Sequence, residues 1–239
     1  MPNEVAESTL PRPGSSTAAG SSGTLTTVPL AFVAGFVDTA GFVGLFGLFT
    51  AHVTGNFVLI GVSLATNSPG IVDKLLAFPV FLVAVALTRL YLLRSERLRL
   101  DPQRPVLLAE AAFLALLLAA GLAAEPIDQS RGPYQPWVLL AQAAAVIAMA
   151  IQNAAARTIF AAHAPTTVMT GNVTQVVMDL VDRALGRNAG AKQRLRKMVP
   201  PLLAFAAGAI ASGLGFLWWG FWCVVAPLTV VLLLIVLRR

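Results

Sequence analysis

Residues 52–56 read His52-Val53-Thr54-Gly55-Asn56 and run into FVLIGVSL; residues 168–172 read Val168-Met169-Thr170-Gly171-Asn172 and run into VTQVVMDL. A polar Thr-Gly-Asn tripeptide therefore stands twice at the mouth of a short apolar segment. Three residues recur by chance in many chains, so the surroundings decide. Upstream of the first copy is AGFVDTAGF, with Asp38 sixteen positions before Thr54; upstream of the second is MAIQNAAAR, with Asn153 seventeen positions before Thr170. Each copy is followed by a short helix, a basic or polar linker and two longer apolar runs. This order reads as a diverged internal duplication, a common construction among transporters.

The composition says where such a chain lives. Of 239 residues, 57% are hydrophobic and 12% charged, about half the ~25% charge of soluble domains. Apolar runs near the ~20 residues that cross a bilayer recur several times. They are unbroken Leu/Ala/Val runs, not the alternating ten-residue segments of a β-barrel. The expected partner is the lipid bilayer, and the expected fold is an all-α polytopic membrane protein. The sequence pI is about 10.4, but the basic residues sit between apolar runs, as the positive-inside rule demands, and nucleic-acid binding is not expected. Residues 1–26 are rich in Ser, Gly and Pro, without a signal-peptide pattern, and read as a disordered tail.

Hydropathy gives apolar segments at 27–49, 54–65, 71–93, 105–124, 136–160, 167–180, 198–217 and 219–237, with a tight turn in FLWWGFW. The linker after the third carries Arg94, Arg97, Arg99 and Arg104; the one after the sixth carries Arg183, Arg187, Lys192, Arg194, Arg196 and Lys197. Both should be cytoplasmic, as should Arg238 and Arg239, whereas the linker at 125–135, with Glu125 and Asp128, should be external. If every segment crossed, the second basic linker and the C-terminus would fall outside. If each TGN segment enters and leaves on one side, every basic linker is inside. The result is about six full spans plus two short re-entrant or broken helices, arranged as an inverted internal repeat: repeat 1 at 27–124, the linker at 125–135 and repeat 2 at 136–239. Both termini are then cytoplasmic. A rival in which only the first short segment crosses gives seven spans and an external N-terminus.

A re-entrant turn at membrane depth must be buried in protein or line a cavity. Gly55 and Gly171 permit close approach or unusual torsions. Thr54 and Thr170 are expected to cap the helices that follow, and Asn56 and Asn172 bring amides. Half-helix N-termini favour anions, and two of them would face each other near the midplane. Asp38, about midway along the first span, is costly there and should be paired or interior; His52, which titrates near neutrality, is its candidate partner in proton coupling. Gln142, Gln152 and Asn153 could contact a solute or bind helix to helix. Glu110 should reach the interface, Arg157 and His163 mark a membrane boundary, and Asp179 is a pathway residue or a polar stop. Trp218, Trp219 and Trp222 read as an interfacial anchor. The single Cys223 cannot form an internal disulfide.

AGFVDTAGFVGLF with AHVTGNFVLIG, and MAIQNAAARTIFAAHAPTTVMTGNVTQ, resemble the YoaK family of uncharacterised bacterial multi-span membrane proteins. In that family a Gly-aromatic-Val-Asp stretch precedes one TGN and a Gln-Asn-Ala stretch precedes a second Thr-Gly motif. The match runs from residue 28 to about 237. It places Asp38, Thr54, Gly55, Asn56, Gln152, Asn153, Thr170 and Gly171 on the family positions; Thr39 departs from the Ala that many members carry. The resemblance implies a bacterial inner-membrane location more than a mechanism.

The expected function is a small secondary transporter or permease for a small polar or anionic solute, coupled to protons through Asp38 and His52. The alternative is a non-transporting scaffold in which the TGN motifs only pack helices. No Walker loop, dinucleotide fingerprint, HExxH or Cys/His set occurs, so neither an enzyme, a metal nor a cofactor is expected. An oligomer is compatible with the sequence.

Overall fold

The computed structural model describes residues 18–161, 166–167, 169–188 and 190–237, with side chains from residue 26 onward. Among them run eight α-helices: α1 Ala18–Gly44, α2 Gly55–Thr66, α3 Ile71–Leu98, α4 Gln103–Ala124, α5 Pro136–Ala156, α6 Met169–Ala184, α7 Ala191–Trp219 and α8 Val225–Leu237. Short 3-10 turns at Gln129–Arg131 and Gly220–Val224 complete the order. Five helical stretches are long and apolar enough to cross a membrane: Thr26–Gly44, Ile71–Leu98, Gln103–Ala124, Pro136–Ala156 and Ala191–Leu237. The chain is an all-helical multi-pass membrane protein.

Several expected boundaries move for physical reasons. The tail expected at 1–26 falls outside the described residues up to 17, but Ala18 onward is already helix. No residue between Pro13 and Pro29 forbids it, and Ala18 and Ala19 are strong helix formers. The helix expected to reach residue 49 stops at Gly44, because Phe46 and Gly47 turn left-handed at φ 58° and 73°. A non-glycine residue there is uncommon and marks where the chain doubles back. The last stretch, 47 residues, is far longer than a bilayer needs. It folds over at Gly220, φ 52°; a Cβ on Gly215 would lie 3.0 Å from that of Cys223. Trp218, Trp219 and Trp222 stand exposed around this turn, as interfacial aromatics do.

The bundle has two ends. At one, Lys74 Nζ donates to the Phe46 carbonyl (3.1 Å) and Gln142 Nε2 to that of Leu45 (3.2 Å). The end of α1 and the starts of α3 and α5 therefore lie together. The end of α4 joins them, where Glu125 accepts the Phe221 amide at 3.0 Å. At the other end Gln152 Nε2 donates to Leu30 O at 2.8 Å, joining the start of α1 to the end of α5. Helix α1 packs on α7 and α8, α5 on α3 and α4, α2 on α3, α6 on α7, α4 on α8 and α1 on α5. This set of pairs is unchanged when α1–α4 are exchanged for α5–α8.

The densest packing is between α1 and α7, which run in the same direction. Phe32 and Gly35 meet Phe205, Gly208 and Ala209, and further along Gly44 lies under the Phe216 ring. A Cβ on Gly35 would sit on the Phe205 carbonyl, and one on Gly208 on the Phe32 carbonyl. The two backbones thus touch reciprocally, the close approach that small residues permit between membrane helices. In Gly208→Leu the clash is with backbone that cannot swing aside, so the loss should reach or exceed the ~1–3 kcal/mol usual for overpacking. Gly213, with open space around it, should accept Leu. Thermal unfolding in detergent should separate the two variants clearly; equal melting would show that the crossing is loose.

Candidate functional site

Asp38 is in α1, 5% exposed, two turns before the helix ends. Its Oδ1 accepts the amides of Thr50 and Ala51, both at 2.8 Å, and more weakly those of His52 and the Thr50 hydroxyl at 3.4 Å. Its Oδ2 lies 2.7 Å from His52 Nδ1. Successive amides converging on a carboxylate form an anion nest. The chain leaving α1 at Gly44 thus returns alongside that helix and is tied to it by one side chain. The His52 ring packs edge-on against Phe205 of α7, centroids 5.5 Å apart, and its side chain stays 35% exposed.

The TGN that follows works differently from the expectation. Thr54 makes no side-chain capping bond and is exposed. The amides of Gly55, Asn56 and Phe57 instead reach the carbonyls of His52, Val53 and Thr54, at 2.8, 3.0 and 3.2 Å. A backbone turn has taken the cap's place. With those amides used and the preceding ones on Asp38, the anion expected at this half-helix is Asp38 itself. Asn56 is fully buried and clamps Phe49 through two bonds, accepting its amide at 3.0 Å and donating to its carbonyl at 2.9 Å. Gly55 is needed for close approach, since a Cβ there would lie 2.9 Å from the Phe49 ring.

The second half repeats the device with amides. Gln152 Nε2 donates to the Thr166 hydroxyl at 2.9 Å as well as to Leu30 O. Asn153 Oδ1 accepts the Thr167 hydroxyl at 2.5 Å, and its Nδ2 donates to Met149 O at 3.1 Å. The segment before α6 is again tied to a residue inside the preceding helix. Thr170 and Gly171 are exposed, with nothing within 4 Å of a Cβ built on Gly171. Asn172 is buried, its amide 3.8 Å from Met169 Sδ. The two short helices pack on different neighbours, α2 on α3 and α6 on α7.

Other buried polar groups went unread or misread. Asp73 and Lys74 are 3% and 4% exposed at the start of α3. Gln142 donates to Asp73 Oδ2 at 3.2 Å, Lys74 Nζ lies 3.9 Å from it, and Oδ1 has no hydrogen-bond partner among the described residues. An adjacent acid and base heading a long apolar run was the available signal. Glu110, expected at the interface, is 1% exposed, its Oε1 without a partner among the described residues, because its face of α4 is turned into the bundle. Asp179 is fully buried and holds the Arg194 guanidinium, with Gln175 donating to it at 3.1 Å. It is a link between α6 and α7. His163 lies outside the described residues.

Residues 26–237 match the family described as "Protein of unknown function (DUF1275)". The chain belongs to that family. It is also similar to the UPF0700 transmembrane protein YoaK of Bacillus subtilis (strain 168), 28% identical over 189 residues, covering 77% of this chain and 80% of that protein. No solved structure matches it. The family membership agrees with the resemblance read from the paired TGN motifs.

The geometry separates Thr54 from Asn56. Asn56→Leu removes both bonds to the half-buried backbone of Phe49 and should cost about 1–3 kcal/mol in all. Thr54→Ala should stay within about 0.5 kcal/mol, as exposed substitutions do. Thermal melts of the purified variants check this, and a comparable loss in Thr54→Ala would restore the capping role.

Proposed function

We propose that the protein is a small secondary transporter or permease of the bacterial inner membrane, moving a small polar solute with proton coupling through Asp38 and His52. The observation that carries this is the carboxylate–imidazole contact at 2.7 Å, set where the chain turns back beside α1 and left accessible through His52. An intramembrane carboxylate is expensive and functional by default. Protonated His52 forms an ion pair with Asp38; loss of that proton weakens the tie while the same carboxylate still holds the amides of Thr50 and Ala51. Proton exchange thereby acts on the turn itself.

The exchange of α1–α4 with α5–α8 in the packing supports an inverted repeat, the architecture of many alternating-access transporters. Parallel α1 and α7, and α1 and α3 meeting at the Phe46 end, support six crossings with α2 and α6 re-entrant. The basic linkers 94–104 and 183–197 then share the cytoplasmic side with both termini. Because Asp38 fills the first turn, an anionic cargo would meet the second copy, where Thr170 and Gly171 are exposed. The second reading is a non-transporting scaffold; it is favoured by Asn56 and Gln152, whose bonds go to backbone and neighbouring side chains.

Proton-coupled uptake in proteoliposomes with a panel of small polar and anionic metabolites tests transport. Wild type should accumulate a solute down a proton gradient, and Asp38→Asn should remove the dependence on that gradient. If no solute moves with folded wild type, the scaffold reading stands. In a Cys223→Ser background, impermeant thiol reagent should label Gln129→Cys from outside and Asn188→Cys only after the membrane is opened. External labelling at 188 would sink the re-entrant topology.

A further inference from the structure

Where Gly35 and Gly208 close α1 on α7 backbone to backbone, α3 and α5 leave cavities between them. Those along the middle of the helices have mostly apolar walls. The one where α5 ends does not. It has a volume of about 550 Å³ and is lined by Arg89, Leu92 and Glu96 of α3, Pro102 before α4, and Arg157 and Thr158 after α5, among others. Residues 89, 92 and 96 share one helix face by their spacing of three and four. Leu92 is buried, so that face is turned inward. Arg89 lies within the membrane-crossing stretch Ile71–Leu98, where a guanidinium is expensive and calls for an anionic partner. The protein supplies none: neither Arg89 nor Arg157 makes an ion pair or side-chain hydrogen bond among the described residues. Nor does the Glu96 side chain, although Arg94, Arg97 and Arg99 stand within three residues of it.

We infer that this cavity binds a small zwitterion of the α-amino-acid kind, its carboxylate held by Arg89 and Arg157 and its ammonium by Glu96. Volume fits. Ligand pockets run from about 300 to 1,000 Å³, and this one is far larger than a bare ion needs. Charge fits as well. Arginine takes a carboxylate through two parallel bonds, whereas Glu96 would only repel a ligand that carried negative charge alone. A molecule with both signs uses all three side chains. Seven residues of helix set the roots of Arg89 and Glu96 about 10 Å apart. The two charges line one cavity yet do not satisfy each other, and a ligand that bridges them satisfies both. The binding needs neither transport nor the re-entrant topology; only its place on the cytoplasmic side rests on the orientation proposed above.

Thermal unfolding of the purified full-length chain in detergent, with each of the twenty standard amino acids in turn, tests this, because a ligand of the native state raises the melting point. At least one should raise it. By calorimetry that amino acid should bind about tenfold or more tighter than its N-acetyl derivative, which lacks the ammonium, or its amide, which lacks the carboxylate. Arg89→Gln and Arg157→Gln should each weaken it by about tenfold or more, as loss of a hydrogen bond to a charged group does. Glu96→Gln should weaken the amino acid and strengthen the N-acetyl derivative. Arg94→Gln, outside the cavity, should alter neither. All four side chains are exposed, so these variants should fold, and size-exclusion chromatography verifies it. Melting points unmoved by every amino acid, or binding indifferent to both arginine substitutions, would overturn the site. So would an N-acetyl derivative or inorganic phosphate that binds as tightly as the amino acid, which would leave a plain anion site. An equal loss in Arg94→Gln would leave only a diffuse basic field and overturn it too.

Discussion

A chain that doubles back against its own helix must satisfy the backbone amides of the turn, and here one buried carboxylate takes three of them in succession. Asp38 gathers the amides of Thr50 and Ala51 and the ring of His52. Without it the amides of the buried Thr50 and Ala51 would be left unpaired. The Asn56 clamp on Phe49 and the Gly55 contact with the same ring follow from the position Asp38 imposes. In the second half Gln152 and Asn153 tie the segment before α6 through the hydroxyls of Thr166 and Thr167, without a charge. The two segments are held by similar ties, one to a carboxylate and the other to side-chain amides.

The difference extends to the seams. Gly35 and Gly208 make α1 and α7 a rigid pair, whereas α3 meets α5 through larger side chains that leave gaps between them.

Much of this was legible in the sequence. Apolar run lengths and the spacing of arginines located the helices, and Asp38 and His52 could be paired because a buried carboxylate needs company. The misreadings share a cause. Propensity makes Thr54 a cap, but the amides of Gly55, Asn56 and Phe57 reach the carbonyls of His52, Val53 and Thr54, and that backbone turn leaves the cap redundant. Glu110 and Asp179 were placed by their distance from a helix end, whereas the face they occupy decides burial. Asp73 and Lys74 were overlooked because hydropathy averages over a window, and two opposite charges vanish inside a long apolar run.

The α1–α7 crossing also sets an order of events during synthesis. The glycine face of α1 is complete once Gly35 has left the ribosome, but its partner at Gly208 lies some 170 residues further on. At about 5–20 residues per second that is roughly ten to thirty seconds during which α1 sits in the bilayer without its main neighbour. Helix α5 finds α3 and α4 already inserted, so the first partnership to form joins the halves through the looser seam. The nascent chain is therefore assembled from its open side and locked from its closed one, with the final turn of the lock supplied by the last fifth of the protein.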